Sequence, residues 1–424
     1  MDNHQPHPPH RPRLLLAAVF AAAVALRLAM AFVIAPLQAP DEAAHLRYVQ
    51  TLGDTGHLPV QPRATWPNWE QYYQPPLAYG VFVAVDRITG AASLPEPDRL
   101  RALRIVNALL GSAIVPIAYT VVRRLVPAGD WRPLLAALVI ALFPGFAGSA
   151  SVLNNDTLSN LLAAALWMPL LSGGAPRRTA VAAGLLLGAA CLAKLSVLAL
   201  APLLVIVPLC KDPRSLTGAL RYATMAGAVV ALVLLPWMVR NYAVYGSPLA
   251  IDVGSISYAS LSDVLPEAAV AAASRAQPGR AFLQFWGQFG VYNNLHWKMI
   301  PFVLVPLASL ALIGWARRAP AADGSFTRAA VAALAALALA ITGLTAFSLR
   351  YWAAWQGRYL YTTAVPVAML LAGGWHHIVP ARLRGAFILM LAAGLLTLDT
   401  ILVLRLHGFF TAMPSARWPF TAEL

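Results

Sequence analysis

The sequence predicts an all-α protein that crosses a membrane about eleven times and has a large first outer loop carrying surface helices. Of its 424 residues, 59% are hydrophobic and 11% are charged, whereas a soluble domain averages about 25% charged residues. The mean hydropathy is +0.65. Runs of about 17–25 apolar residues are typical of helices that span a bilayer. The apolar stretches, several of them short, are 14–36, 103–121, 134–149, 157–171, 180–193, 195–210, 222–239, 299–316, 327–348, 358–374 and 385–405.

The distribution of charge predicts how these helices are oriented. A net charge of +14 on a soluble protein would suggest a nucleic-acid partner, but Lys and Arg in membrane proteins collect in the cytoplasmic loops. The short connections rich in Arg are therefore predicted to face the cytoplasm, with the N-terminus inside, the C-terminus outside and no nucleic acid as partner. The resulting topology has a disordered cytoplasmic tail at 1–13, one transmembrane domain at 14–405, outer loops at 37–102 and 240–298, and an outer tail at 406–424.

Two adjacent carboxylates, Asp41 and Glu42, follow the first apolar run directly. Acids at the edge of a membrane segment are costly unless they face water or a partner, so they are candidate functional groups. Asp41 could instead be the N-cap of a helix that begins at Glu42 and ends at Gly53. Glu42 and His45 lie three residues apart, hence on one helix face, and this spacing could also hold a metal.

The same loop ends with Gln74 and two prolines, followed by an apolar stretch at 77–89. This stretch is too short to cross a bilayer. Proline is well tolerated in the first turn of a helix, so Pro75 and Pro76 are expected to start a helix here. We predict that this helix lies on the membrane surface.

A second acid, Asp156, follows Asn154 and Asn155 in a very short outer turn. Its simplest role is to cap the helix that Thr157 begins. It is also predicted to face the same side of the membrane as Asp41, which makes it a candidate for a shared functional site.

Several cations are predicted on this outer face, where few are expected. Lys194 lies between two apolar runs, the pair Arg240-Asn241 ends another, and the pair Arg358-Tyr359 opens a third. Each cation could be an ordinary interfacial anchor. Together they suit a phosphate, which Arg binds through two hydrogen bonds and Lys as a point charge. A lipid phosphate is the predicted ligand.

Two further charges, Arg27 and Asp399, lie within the apolar runs 14–36 and 385–405. Ionisable residues inside a membrane usually pair with one another or with backbone carbonyls. We predict a structural pair between them.

These residues, taken in chain order, resemble the GT-C superfamily of membrane glycosyltransferases, which use polyprenyl-phosphate sugars. The resemblance runs from about residue 14 to 375 as ordered motifs. It lies in the Pro-Asp-Glu-x-x-His stretch after the first helix, a loop ending Gln-Pro-Pro-Leu, the second acidic turn, the Lys between short helices, Pro-Trp-x-x-Arg-Asn and Gly-Arg-Tyr-Leu. The nearest groups are protein O-mannosyltransferases and aminoarabinose transferases. The Pro-Asp-Glu-x-x-His wording is most similar to a poorly characterised bacterial branch.

The resemblance implies a general base in the first loop, Asp41 with Glu42 beside it, and a second outer acid, Asp156, that assists the acceptor or a metal. Three cations would hold the lipid phosphate: Lys194, Arg240 and Arg358. The remaining positions expected to contact substrate are His45, Gln74, Asn241 and Tyr359. Gln74 stands where aminoarabinose transferases often have a basic residue, so one phosphate contact is expected to be missing.

The implied activity is inverting transfer of a hexosyl or pentosyl group from a polyprenyl-phosphate donor to a glycan, lipid or protein acceptor. It would take place on the outer face of a bacterial cytoplasmic membrane. The candidate cofactor is a divalent cation, for which the sequence shows no clear set of ligands. Two alternatives remain from the residues alone. One is a lipid or lipid-linked sugar transporter, which would favour internal repeats and broken helices. The other is a non-catalytic protein that binds a lipid-linked sugar and assists a partner enzyme.

Overall fold

The computed structural model describes residues 11–62, 70–251, 253, 279, 281–287, 299–317, 324–350 and 356–412. The predicted outer loop at 240–298 and the terminal tails lie largely outside these residues. Throughout the described part of the chain the secondary structure is helical, without strands. This confirms the predicted all-α class.

Fifteen α-helices are described, and three of them belong to the first loop region. The helices are α1 (Arg11–Val33), α2 (Glu42–Thr55), α3 (Leu77–Thr89), α4 (Glu96–Ser112), α5 (Ile114–Arg123), α6 (Arg132–Leu142), α7 (Pro144–Ser149), α8 (Asp156–Leu170), α9 (Pro176–Ala193), α10 (Leu203–Lys211), α11 (Leu216–Tyr245), α12 (Met299–Ala316), α13 (Gly324–Arg350), α14 (Ala364–Ile378) and α15 (Arg384–Ala412). Two 3₁₀ segments, Leu195–Leu200 and Gly357–Thr363, precede α10 and α14.

The predicted number of membrane spans is not confirmed. Five helical stretches among the described residues are long and apolar enough to cross a membrane: Arg13–Val33, Glu96–Arg123, Leu216–Tyr245, Gly324–Ser348 and Ala381–Ala412. Other predicted spans correspond to shorter helices. The stretch predicted as one helix at 134–149 is two, because Phe143 is extended and Pro144 starts α7. The last helix continues beyond the predicted boundary at 405 to Ala412.

Close approach of backbones holds α9 against α11. A Cβ added at Gly184 would lie 2.5 Å from the carbonyl oxygen of Ala226, and one at Gly188 would lie 2.9 Å from the side chain of Val233. Small residues four apart let membrane helices approach closely enough for dense van der Waals contact. These two glycines therefore define the contact of α11 with α9, the helix that ends at Lys194.

The first loop folds into α2 and α3, which pack against each other around buried aromatic and aliphatic side chains. The prediction that Gly53 ends α2 is wrong. The helix runs to Thr55 and ends at Gly56, whose φ of 69° is in the left-handed region that glycine adopts without steric cost. The predicted helix at 77–89 is confirmed as α3, with Pro76 just before its first residue.

One buried arginine links α1, α2 and α4. The guanidinium of Arg104 donates to both carboxylate oxygens of Glu42, at 2.8 and 2.6 Å. It also donates to the carbonyls of Ala31, Ile34 and Ala35 at the end of α1, which have no partners further along that helix. Both side chains of this ion pair are fully buried.

Arg27 and Asp399 do not form the predicted ion pair. Arg27 instead donates to the carbonyls of Ala23, Ile140 and Ala141, which ties α1 to the end of α6. The buried carboxylate of Asp399 has no hydrogen-bond partner among the described residues. The two terminal nitrogens of Arg27 thus donate to carbonyls rather than to a carboxylate, while its Nε has no hydrogen-bond partner among the described residues. The carbonyls at the end of α6 are free to accept because Phe143 leaves the helix.

Candidate active site

A cavity of about 460 Å³ lies beside the start of α2. Its lining is part polar and part apolar. The polar part includes Asp41, His45, Gln71, Tyr73, Gln74, Asn155, Lys194, Arg358, Tyr359 and Thr362, and the apolar part includes Leu198, Leu200, Trp237, Leu249, Ile251, Leu344 and Phe347. The cavity thus combines charged groups with side chains suited to hydrocarbon.

Asp41 belongs to the polar part and forms an ion pair with Arg358. It occupies the N-cap position of α2, but its φ is 62° and its side chain makes no capping hydrogen bond. Asp41 therefore has the predicted position before the helix, but the prediction that its side chain caps the helix is wrong. Burial alone would raise the pKa of the Asp41 carboxyl, but Arg358, His45 and Lys194 outweigh this and hold the pKa below its usual value.

Asp156 is the second carboxylate of this cluster, and it pairs with Lys194. The prediction that Asp156 caps α8 is wrong. The capping oxygen is Oδ1 of Asn154, which accepts from the backbone N–H of Thr157 at 3.0 Å. Asp156 is itself the first residue of the helix, and its other carboxylate oxygen lies 3.7 Å from Nε of Arg358.

Four charges therefore form one chain in the order Asp41, Arg358, Asp156, Lys194. Tyr359 completes the arrangement, since the Lys194 ammonium lies 4.2 Å from the centre of its ring. An ammonium over an aromatic face is attracted by the electron density of the ring. The sequence predicted that these five residues lie on one face of the membrane, and in the structure they lie together in one cluster.

His45 contributes a neutral ring to the same cavity. Its Nδ1 lies 2.9 Å from the hydroxyl of Tyr79, which is buried and has no other hydrogen-bond partner among the described residues. The phenol satisfies its own proton if it donates to Nδ1, which would place the proton of the imidazole on Nε2. Burial lowers the pKa of His45 to about 4 despite the nearby carboxylates, so the ring is uncharged at neutral pH.

Gln74 also lines the cavity, where its Nε2 donates to Gln71 and its Oε1 accepts from Asn155. Tyr73 lies beside it, and burial raises the pKa of its phenol. Neither Gln71, Tyr73 nor Tyr79 was predicted from sequence. A buried tyrosine in the apolar stretch 77–89 was the available signal, because a phenol needs a hydrogen-bond partner when buried.

Four predicted site residues do not line the cavity. One is Asp156, which pairs with the lining residues Lys194 and Arg358. The carboxylate of Glu42 points to Arg104 and also accepts from the backbone N–H of Leu153 at 3.0 Å. Arg240 donates to the carbonyl of Pro59 at 2.7 Å and so ties the end of α11 to the first loop. Asn241 is buried, with its amide directed at the carbonyl of Pro248.

The residues that the structure describes do not offer a fitted site for a divalent cation. No group of three or more His, Cys, Asp or Glu side chains converges within the described ranges. The two carboxylates nearest the cavity, Asp41 and Asp156, are bound by Arg358 and Lys194.

The fold is similar to those of two proteins of known structure, ArnT and an archaeal oligosaccharyltransferase. The chain is similar to ArnT from Cupriavidus metallidurans, solved with undecaprenyl phosphate, with a TM-score of 0.53 and 15% identity over 94% of this chain and 73% of that one. It is also similar to the oligosaccharyltransferase of Archaeoglobus fulgidus. AglB solved with an inhibitory peptide and a dolichol phosphate gives a TM-score of 0.51 at 13% identity over 92% of this chain and 56% of that one. The form tethered to an acceptor peptide gives 0.59 at 16% identity, over 92% and 55%.

The chain therefore spans just over half the length of the oligosaccharyltransferases it resembles. No protein-family profile matches the sequence, and no curated protein matches it significantly. At these identities the likeness is one of fold.

Proposed function

We propose that this protein is an inverting glycosyltransferase that moves a sugar from a polyprenyl-phosphate donor to a hydroxyl acceptor. The observation that carries the proposal is the cavity, which combines two cations and an ionised carboxylate with apolar side chains. A polyprenyl-phosphate sugar has the matching parts, a hydrocarbon chain attached to a phosphate and a polar ring. Structures of the same fold bind undecaprenyl phosphate or dolichol phosphate.

In the proposed reaction, the acceptor oxygen attacks the anomeric carbon while Asp41 takes the hydroxyl proton. The new bond joins the acceptor oxygen to the anomeric carbon. The bond between that carbon and the phosphate oxygen breaks, and its electron pair stays on the lipid phosphate. Fixed cations that face charge as it develops lower the barrier, which is the role we assign to Arg358 and Lys194. A single displacement inverts the anomeric centre.

Two residues predicted at the site have positioning roles in this proposal. Glu42 holds Arg104, and through it the end of α1, so that Asp41 enters the cavity at a defined place. Arg240 fixes residues 58 and 59 of the first loop against α11. The charge of the inner loops supports an active site on the outer face of a bacterial cytoplasmic membrane.

The test of this proposal is an experiment that identifies the sugar and its acceptor. Cells carrying the wild-type gene, no gene or the Asp41→Asn variant should be compared by mass spectrometry of their lipid-linked sugars and envelope glycans. We expect the variant and the deletion to accumulate the same lipid-linked sugar and to lose the same glycan, lipid or protein modification. Positioned acid–base catalysis usually contributes about 10²–10⁴-fold, so the variant should have almost no product.

Asp98→Asn is the matched control, since Asp98 is an exposed carboxylate paired with Arg101 on the surface of α4. It should behave as wild type. Unchanged glycans in cells that express folded Asp41→Asn protein would refute the catalytic assignment. Normal lipid-linked sugars in the deletion strain would refute the proposed donor class.

A further inference from the structure

Both cations of the cavity are already occupied by carboxylates of the protein. Among the described residues that line it, the cations are Lys194 and Arg358. Lys194 is paired with Asp156, and Arg358 with Asp41. The cluster thus has two positive and two negative groups, and it has no surplus positive charge with which to attract a phosphate.

A phosphate that enters this cluster must therefore take a cation away from a carboxylate. Adding an anion beside two unbroken ion pairs would place it next to Asp41 and Asp156 without compensation, which is costly where the surroundings are desolvated. Exchange avoids this cost, because the phosphate replaces a carboxylate as the partner of the cation and the carboxylate moves into water or onto another partner.

The burial of the four groups identifies the pair that can exchange. The side chain of Asp41 is 31% exposed, whereas that of Asp156 is 4% exposed. Lys194 and Arg358 are 13% and 14% exposed. Released Asp41 can be solvated where it stands, and its side chain is not held by a capping hydrogen bond. Released Asp156 would be an unpaired buried carboxylate, so its pair with Lys194 should persist.

We propose that the donor's phosphate binds by displacing Asp41 from Arg358, and that this displacement creates the catalytic base. The inference rests on the proposed function, since it takes a lipid phosphate as the ligand. In the free protein Asp41 is neutralised by Arg358 and is a poor proton acceptor. Once the phosphate holds Arg358, Asp41 loses its stabilising partner and becomes more basic. The acceptor hydroxyl is then activated only when the donor is in place.

Displacement has a consequence that simple catalysis by Asp41 does not have. If Asp41 competes with phosphate for Arg358, removing its charge should tighten phosphate binding. Asp41→Asn should therefore bind a short-chain polyprenyl monophosphate about tenfold more tightly than wild type, equivalent to about 1.4 kcal/mol. If Asp41 acts only as a base, affinity for this product analogue should not change.

The experiment measures binding of the monophosphate, and of the uncharged polyprenol, to the full chain in nanodiscs. The variants are Asp41→Asn, Asp41→Ser, Arg358→Gln and the double variant Asp41→Asn/Arg358→Gln, with Asp98→Asn as the control for an unrelated carboxylate. We expect the two Asp41 variants to tighten monophosphate binding, Arg358→Gln to weaken it, and the effect of Asp41→Asn to disappear in the double variant. Polyprenol binding should be the same throughout and reports an intact cavity.

Three other outcomes would contradict the displacement. Unchanged or weaker monophosphate binding in both Asp41 variants, with normal polyprenol binding, overturns the displacement. The displacement is also overturned if Asp41→Asn tightens monophosphate binding by the same factor when Arg358 is replaced by Gln. The effect would then come from the negative charge of Asp41 itself and not from its competition for Arg358. If wild type does not prefer monophosphate to polyprenol, the proposed donor class fails, and the displacement fails with it.

Discussion

Replacing Glu42 by Gln separates a structural from a catalytic role for the acid beside Asp41. Both carboxylate oxygens of Glu42 are engaged by Arg104 at 2.8 and 2.6 Å, and one also accepts from the backbone N–H of Leu153 at 3.0 Å. Neither partner of the ion pair is exposed. Gln keeps one acceptor but places an amide N–H₂ against the guanidinium, so the buried charge of Arg104 loses its counterion.

Breaking a buried ion pair by removing one partner typically costs about 3–5 kcal/mol. The carbonyls at the end of α1 still accept from Arg104, so we expect the lower half of that range, about 3–4 kcal/mol. This is a large share of the roughly 5–15 kcal/mol by which a folded protein is stable. Thermal unfolding of purified Glu42→Gln in nanodiscs should therefore show a clearly lower melting temperature, with the turnover per folded molecule reduced far less than in Asp41→Asn.

Arg104→Gln provides the matched comparison, because it breaks the same ion pair by removing the arginine instead of the carboxylate. It also removes the hydrogen bonds to the carbonyls at the end of α1, so it should be destabilised at least as much as Glu42→Gln. The reasoning is refuted if Glu42→Gln melts as wild type yet has no activity. That result would move the general base from Asp41 to Glu42.

Four other predictions follow from single contacts. Arg240→Ala should lower stability by about 1.5–3 kcal/mol, the usual contribution of a charged hydrogen bond. Lost donor affinity at unchanged stability would instead put Arg240 at the phosphate. Tyr79→Phe leaves the proton of His45 free to occupy either ring nitrogen, so turnover should fall several-fold and the NMR shifts of the imidazole should report both tautomers. A single tautomer in the variant would contradict this. A cysteine at Thr55 should react with an impermeant reagent applied outside, and reaction only after permeabilisation would invert the topology. Because the pKa of Asp41 is depressed in the free protein, its stabilising charge is fully present above the usual pKa of about 3.9 and is lost as pH falls through the folded-state value. Melting temperatures of wild type and Asp41→Asn should thus differ by a constant amount from pH 8 to 5 and converge in stronger acid.

The sequence was sufficient to predict the membrane class and the residues of the charge cluster. Asp41, Asp156, Lys194 and Arg358 stand out because each is polar at the edge of an apolar run, where a charge is costly without a function. The likeness of the fold to that of ArnT agrees with the resemblance that the same motifs predicted.

Other residues predicted at the site do not line the cavity, because they bind partners far away in the chain. Glu42 looks as functional as Asp41 until Arg104 is seen to bind it, and nothing in the local sequence indicates that contact. Arg240 likewise has its carbonyl partners in the first loop. The number of spans is not confirmed, because apolar content alone cannot distinguish a crossing helix from shorter helices broken at a proline, as at Pro144.

The contact between Arg104 and Glu42 also sets an order for biogenesis. The two residues are separated by 62 positions, and ribosomes add roughly 5–20 residues per second. Several seconds therefore pass between the synthesis of the two partners, during which Glu42 has no counterion and the carbonyls at the end of α1 have no donor from Arg104. The cavity cannot take its final shape while the nascent chain ends in α3, and the start of α2 beside Asp41 is held in place only after α4 has been delivered to the bilayer.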